Sequence, residues 1–222
     1  MGQHIHIPTS GIQCIGGYLA QPEGKPKGGV VVIQEIFGVT PHIRRVVDRF
    51  AAAGYTALAP CFFDRLEAGV ELDYDQTGLE RGRAMIAELG LDRPLEDVAS
   101  AAHAIASAGK IGTVGFCWGG TVALLSALRL GLPSVSYYGA RNVAWLGETP
   151  QAPVLFHFGA DDPSIPPDAV ERHREALPQM ETFVYPGAGH AFNRDGDPHY
   201  HAPSAELAWR RTLAFFERQL GA

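Results

Sequence analysis

The 222-residue chain is long enough to bury one sizeable core and short for two, so it reads as one domain over residues 1–222. With 46% hydrophobic and 19% charged residues it sits near globular averages, which excludes a disordered, collagenous or coiled-coil protein. Its 18 basic and 24 acidic residues give a net charge of −6, so no field gathers phosphate backbones and nucleic acid drops out as a partner.

In chain order, the N-terminal MGQHIHIPTSG has neither the basic nor the apolar region of a secretory signal. The segment Ile12 to Ala20, broken by Gly16-Gly17, reads as an antiparallel edge strand. Gly29 to Gln34 is a β-branched run of the kind buried on both faces of a sheet. Thr40-Pro41 then pairs a cap residue with proline at the first helical position. Ile43, Val46, Val47, Phe50 and Ala51 follow at helical spacing, and Gly54 ends the helix.

The alternation continues. Strands are predicted at Tyr55 to Ala59, Ile111 to Phe116, Ser134 to Tyr138, Val154 to Phe158 and Thr182 to Tyr185. Helices fall at Leu79 to Leu89, Leu95 to Ala108, Gly119 to Leu130, Asp168 to Leu177 and Ser204 to Leu220. Apolar strands separated by helices imply an α/β fold, a mostly parallel sheet with helices on both faces. The uncharged run Ile111 to Leu128 is long enough to flag as a membrane span, but its four glycines and strand-then-helix pattern make it a buried turn. Three cysteines, Cys14, Cys61 and Cys117, suit a reducing compartment, and the expectation is a cytoplasmic protein without a membrane anchor.

In an open parallel sheet the chemistry lies beyond the carboxyl ends of the strands. Gly115-Phe116-Cys117-Trp118-Gly119-Gly120 sits at such an end and has the nucleophile-elbow pattern with cysteine in the serine position. Glycines two residues either side allow the tight strand-to-helix turn, and the helix N-terminus favours thiolate over thiol. The backbone N–H of Trp118 is then placed to receive an oxyanion. Asp161-Asp162 follows the strand ending at Phe158, and His190, in Gly187-Ala188-Gly189-His190, follows the strand ending at Tyr185. Nucleophile, acid and histidine in that order is the α/β-hydrolase order. Of the two acids Asp162 is preferred, because Asp161 is nearer the strand and suits a turn-stabilising role.

Other clusters carry less. His4-x-His6 and His199-x-His201 could each present two imidazoles on one strand face, but no carboxylate or cysteine accompanies them at metal spacing, so no metal is expected. Neither a dinucleotide-binding nor a P-loop fingerprint occurs, so no cofactor is expected.

The blocks Gln34-Glu35-Ile36-Phe37-Gly38, Gly115 to Gly120, Ser136-Tyr137-Tyr138-Gly139 and Ala188-Gly189-His190-Ala191-Phe192 resemble the dienelactone hydrolase family, the carboxymethylenebutenolidases of aromatic-compound degradation. The resemblance runs from about Gly11 to Phe216 and implies a compact, lidless, monomeric α/β-hydrolase. It further implies that Cys117 attacks, that His190 is the base and that Asp162 orients it, the pair Ile165-Pro166 supporting Asp162. By the same resemblance Glu35 contacts the resting cysteine, and the Ile36 N–H completes the oxyanion hole with that of Trp118. Substrate contacts fall to Arg194, to Tyr138, and to Arg83, with Arg81 as the alternative register. The implied substrate is a small lactone or activated ester carrying a carboxylate. Two further readings stand beside it: a general carboxylesterase or thioesterase, and a non-catalytic binding or redox-sensing module using Cys117. Residues Cys61 to Arg83 are expected to line the pocket mouth and to separate the two enzymes.

Overall fold

The computed structural model describes residues 2–11 and 14–221. Among these residues the chain runs β1 (Gln3–Pro8), β2 (Cys14–Ala20), β3 (Gly29–Ile33), α1 (Pro41–Ala52), β4 (Thr56–Pro60), α2 (Gln76–Leu89) and α3 (Asp92–Ala104). It continues with β5 (Ile111–Phe116), α4 (Trp118–Arg129), β6 (Ser134–Tyr137), β7 (Val154–Gly159), α5 (Pro167–Ala176), β8 (Glu181–Tyr185) and α6 (Ala202–Leu220). The strands form one sheet in the order β1-β2-β4-β3-β5-β6-β7-β8. From β4 to β8 every pairing is parallel, whereas β1 and β2 run antiparallel.

Strands β3, β4, β6 and β7 are buried along their whole length, as a sheet covered on both faces requires. On one face Phe50 of α1 packs against Trp209 and Phe216 of α6. On the other, α4 lies over β5 and β6 beside α3. The apolar run from Ile111 to Leu128 is β5 followed by α4, and no described helix is long and apolar enough to cross a membrane.

Two expectations need correction. The segment ending at Ala20 is not the sheet edge: β2 lies between β1 and β4, and β1 takes the edge. Ile12 and Gln13 of that expected strand lie outside the described residues. Ile7 is buried while His4 and His6 face out, the one-sided alternation of a short edge strand. Thr40 does precede α1, but its side chain makes no cap bond; its hydroxyl bonds Tyr74 Oη at 2.8 Å instead.

Candidate active site

The elbow follows from steric necessity. Cys117 joins β5 to α4 with φ 55°, a left-handed conformation that a side chain adopts only under constraint. The constraint is local: Cys117 N–H donates to Tyr137 O at 3.0 Å, and Gly120 N–H donates to Cys117 O at 3.0 Å. A Cβ on Gly115 would stand 1.8 Å from Gly119 O, and one on Gly119 would stand 2.3 Å from Gln34 O. The elbow and the neighbouring β3 loop therefore close up only around glycine.

Beyond the ends of β7 and β8 the other two groups come to meet the sulfur. His190 Nε2 lies 3.2 Å from Cys117 Sγ, and His190 Nδ1 lies 2.7 Å from Asp162 Oδ2. Asp162 is buried, and its other oxygen accepts the Ser164 N–H at 2.8 Å, so one rotamer faces the imidazole. Asp161 is exposed, and its backbone N–H donates to Ala188 O, stitching the acid loop to the histidine loop. Burial alone would lower the proton affinity of His190. Hydrogen bonds to Asp162 and Cys117, and the charges of both, outweigh burial and push the imidazole up to about 10. The ring thus holds a proton beside the sulfur at neutral pH.

Cys117, Trp118, Ile36, Arg83, His190 and Arg194 share the walls of one cleft of about 460 Å³. Neither the Ile36 N–H nor the Trp118 N–H is given to a partner among the described residues, so both are free to receive an oxyanion. Helix α2 sits directly against this loop, since a Cβ on Gly82 would lie 2.1 Å from Ile36 O. A smaller cavity of about 230 Å³, behind Gln34 and lined by Arg44 and Cys61, contains none of the three groups. Burial raises the Cys61 thiol to about 12, which leaves it a neutral packing residue.

Three expected site residues stand differently from their anticipated roles. Glu35 does not have Cys117 as its partner: both of its oxygens accept from Arg194, at 3.0 Å from Nε and 3.0 Å from Nη2. A carboxylate that is 1% exposed needs a countercharge, and a forked guanidinium meets it better than a thiol. Arg194 lines the cleft, but it also donates to Asp197 at 3.0 Å and packs against the rings of Phe37 and Tyr74, 5.1 and 4.4 Å from their centroids. Its charge is already met within the protein. Tyr138 is not on the cleft wall; it is fully buried, its ring 5.2 Å from that of His190.

Arg81 pairs with Glu67 at 2.6 Å, and Arg83 is the one of the two that reaches the cleft. Of the predicted mouth segment, Tyr74, Leu79 and Arg83 line the cleft, while Cys61 and Phe63 line the smaller cavity. Arg141 and Ser164 also line the cleft and were not foreseen; their only signal was a position just after a strand. Among the described residues no group of three or more His, Cys, Asp and Glu side chains is placed to hold a metal.

A mostly parallel sheet covered on both faces, with a cysteine elbow after β5, an acid after β7 and a histidine after β8, defines an α/β-hydrolase. Residues 15–220 match the dienelactone hydrolase family, and the chain belongs to it. Provisionally named carboxymethylenebutenolidases of Synechocystis and Azospirillum brasilense are 35% and 37% identical, covering 97% and 98% of this chain and 96% and 99% of their own. The crystal structure of a provisionally named dienelactone hydrolase from Klebsiella pneumoniae superposes with a TM-score of 0.87 at 34% identity, over 98% of both chains. The protein is a dienelactone hydrolase-like hydrolase.

Proposed function

We propose that the protein hydrolyses a small lactone or activated ester bearing a carboxylate, through a cysteine nucleophile and a thioester intermediate. The observation that carries this reading is the relay from Cys117 Sγ through the His190 ring to Asp162, at 3.2 and 2.7 Å, on a strained elbow at the cleft floor.

Cys117, as the thiolate whose proton rests on His190, attacks the substrate carbonyl carbon. The carbonyl electron pair moves to oxygen, and that oxyanion accepts the Ile36 and Trp118 N–H groups. As the pair returns, the acyl C–O bond breaks, the leaving oxygen takes the proton from His190, and a thioester remains. At that moment the sulfur has lost its charge. Having given its proton to the leaving oxygen, His190 is a neutral imidazole still oriented by Asp162, and it can take a proton from water. Hydroxide adds to the thioester, and the thiolate departs and recovers the ion pair.

A thiolate leaves readily and competes poorly with an amide nitrogen, which favours lactones and activated esters over peptides. Arg83, exposed on the cleft wall and without an acid partner among the described residues, suits the substrate carboxylate. The names of the relatives, carboxymethylenebutenolidase and dienelactone hydrolase, agree with that substrate class.

The test is hydrolysis of cis- and trans-dienelactone and of p-nitrophenyl acetate by the wild type and by Cys117→Ala. Turnover of a dienelactone that disappears in the variant is the expected result. Cleavage of the simple ester alone, still dependent on Cys117, would leave a general esterase; turnover independent of Cys117 would overturn the nucleophile.

A further inference from the structure

The cleft holds a second unneutralised cation. Arg141, in the loop after β6, lines the same cleft as Cys117 and His190, is exposed, and has no acid partner among the described residues. Its place is fixed by the next residue. Asn142 is fully buried; its Oδ1 accepts Thr121 Oγ1 at 3.0 Å, and its Nδ2 donates to Ser136 Oγ at 3.2 Å. Asn142 N–H also donates to Gly139 O at 3.3 Å. A buried amide with its oxygen and nitrogen both bonded anchors the backbone, so Arg141 projects from a pinned turn.

Sheet order places the two free arginines on opposite flanks of the nucleophile. Arg83 belongs to α2, which follows β4 and packs on the β3 loop, so it stands on the β3 side of β5. Arg141 follows β6, the neighbour of β5 on the other side. Of the other ionisable groups on the cleft wall, Arg194 is met by Glu35 and Asp197, His190 by Asp162 and His199 by Asp197, and Asp75 accepts the Gly78 N–H at the start of α2. In a chain of net charge −6, two guanidiniums flanking the reacting sulfur make a local site for two anionic groups.

We propose that Arg141 is a second anion-reading residue and that the cleft binds dicarboxylates across Cys117, one carboxylate on Arg83 and the other on Arg141. This extends the hydrolase reading above. When water adds across the acyl C–O bond of a lactone that already bears one carboxylate, the opened product carries two, so the product fits a site the substrate only half fills. The hydrolase is therefore expected to be inhibited by its own class of product.

Calorimetric titration tests binding without relying on turnover. Dicarboxylates of increasing length, succinate through pimelate, and monocarboxylates of matching length are titrated at one ionic strength into the wild type, Arg141→Gln, Arg83→Gln and, as a charge control, Arg93→Gln on α3. The expected result is a dicarboxylate that binds at least about 10-fold more tightly than its monocarboxylate partner. Each cleft variant loses that preference, a fall of about 10- to 100-fold, the range for one charged hydrogen-bonding group. Arg93→Gln leaves it unchanged. Equal affinity for the two acid classes in the wild type, no dicarboxylate binding, or an Arg141→Gln protein that still prefers dicarboxylates would each overturn the proposal. Hydrolysis of p-nitrophenyl acetate by the wild type and Cys117→Ala is the separate check: its dependence on Cys117 judges the hydrolase reading, whatever the titrations show.

Discussion

His190 must give up a proton in one half of the proposed reaction and accept one in the other, and its surroundings supply the switch. The protonated ring is held by Asp162 on one nitrogen and Cys117 on the other, which carries it to about 10 against the burial that opposes it. Because this lies above its ordinary value of 6.5, the charged ring stabilises the folded chain fully below about pH 6.5, and that contribution is lost as pH rises through about 10. For an alkyl ester, whose leaving alkoxide needs the proton, kcat/KM is expected to fall as pH passes about 10. Asp162→Asn removes one raising charge and is expected to move that alkaline limb down by about a unit or more, with kcat lower by about 10²- to 10⁴-fold. A pH–rate profile of both proteins decides it, and a limb that stays in place would show that Asp162 does not set the imidazole.

The positions of these three residues were legible because each directly follows a strand, and the elbow is written in glycines that nothing else could replace. The Glu35–Arg194 pair was not legible. The partners are 159 residues apart, and the pairing depends on how the β3 and β8 loops meet and on how little water reaches Glu35. Local sequence carries neither fact.

Helix α2 shows a related conflict between local preference and close packing. Within a helix, glycine costs about 1 kcal/mol relative to alanine, so Gly82→Ala should favour α2 on propensity alone. Its Cβ, however, would lie 2.1 Å from Ile36 O, against the Ile36–Phe37 peptide, whose displacement would carry the Ile36 N–H with it. The substitution is expected to displace that peptide, destabilise the fold by about 1–3 kcal/mol and lower kcat by about 10²-fold, the effect of losing one oxyanion donor. Gly147→Ala, where an added Cβ meets nothing within 4 Å, should change stability by less than about 0.5 kcal/mol. Urea unfolding and ester turnover of the two variants separate these outcomes. A Gly82→Ala protein of full activity would mean that the Ile36 loop moves freely, contrary to its role in an oxyanion hole.

The sheet and its helices were readable from apolar runs and their period, because burial on both faces leaves little alternation to misread. The errors fell at the edge and at a cap. Strand β1 carries only one clearly buried residue, Ile7, too little to stand out before β2 is known to pair with it. Thr40 has the right identity and place for a helix cap, yet Tyr74, 34 residues away, takes its hydroxyl. That bond also holds the ring that covers Arg194, so a local rule gave way to a contact at the cleft.

At the scale of the whole molecule, the histidine loop, beyond the edge strand β8, must be fastened toward the middle of the sheet if the cleft is to keep its shape. Asp195 provides the fastening: it bonds His42 Nδ1 and Arg45 Nε, both on α1, across about two-thirds of the sequence. His42 is buried against Phe116, the last residue of β5, so the clasp reaches the strand that bears the elbow. Burial would raise the Asp195 carboxyl, but the hydrogen bonds from His42 and Arg45, and then their charges, hold it well below the ordinary carboxylate range. A lowered carboxyl stabilises the fold above its unfolded value, near 3.9, and that contribution disappears as pH falls through the folded value. Asp195→Asn should therefore be less stable than wild type at pH 7, and the gap should narrow as both proteins are brought below about pH 4. Urea midpoints measured across that range test the clasp. A gap that is constant with pH would assign the loss to packing or hydrogen-bond geometry and not to the charge of Asp195, and the loop would then owe its position to Arg194 and its acid partners instead.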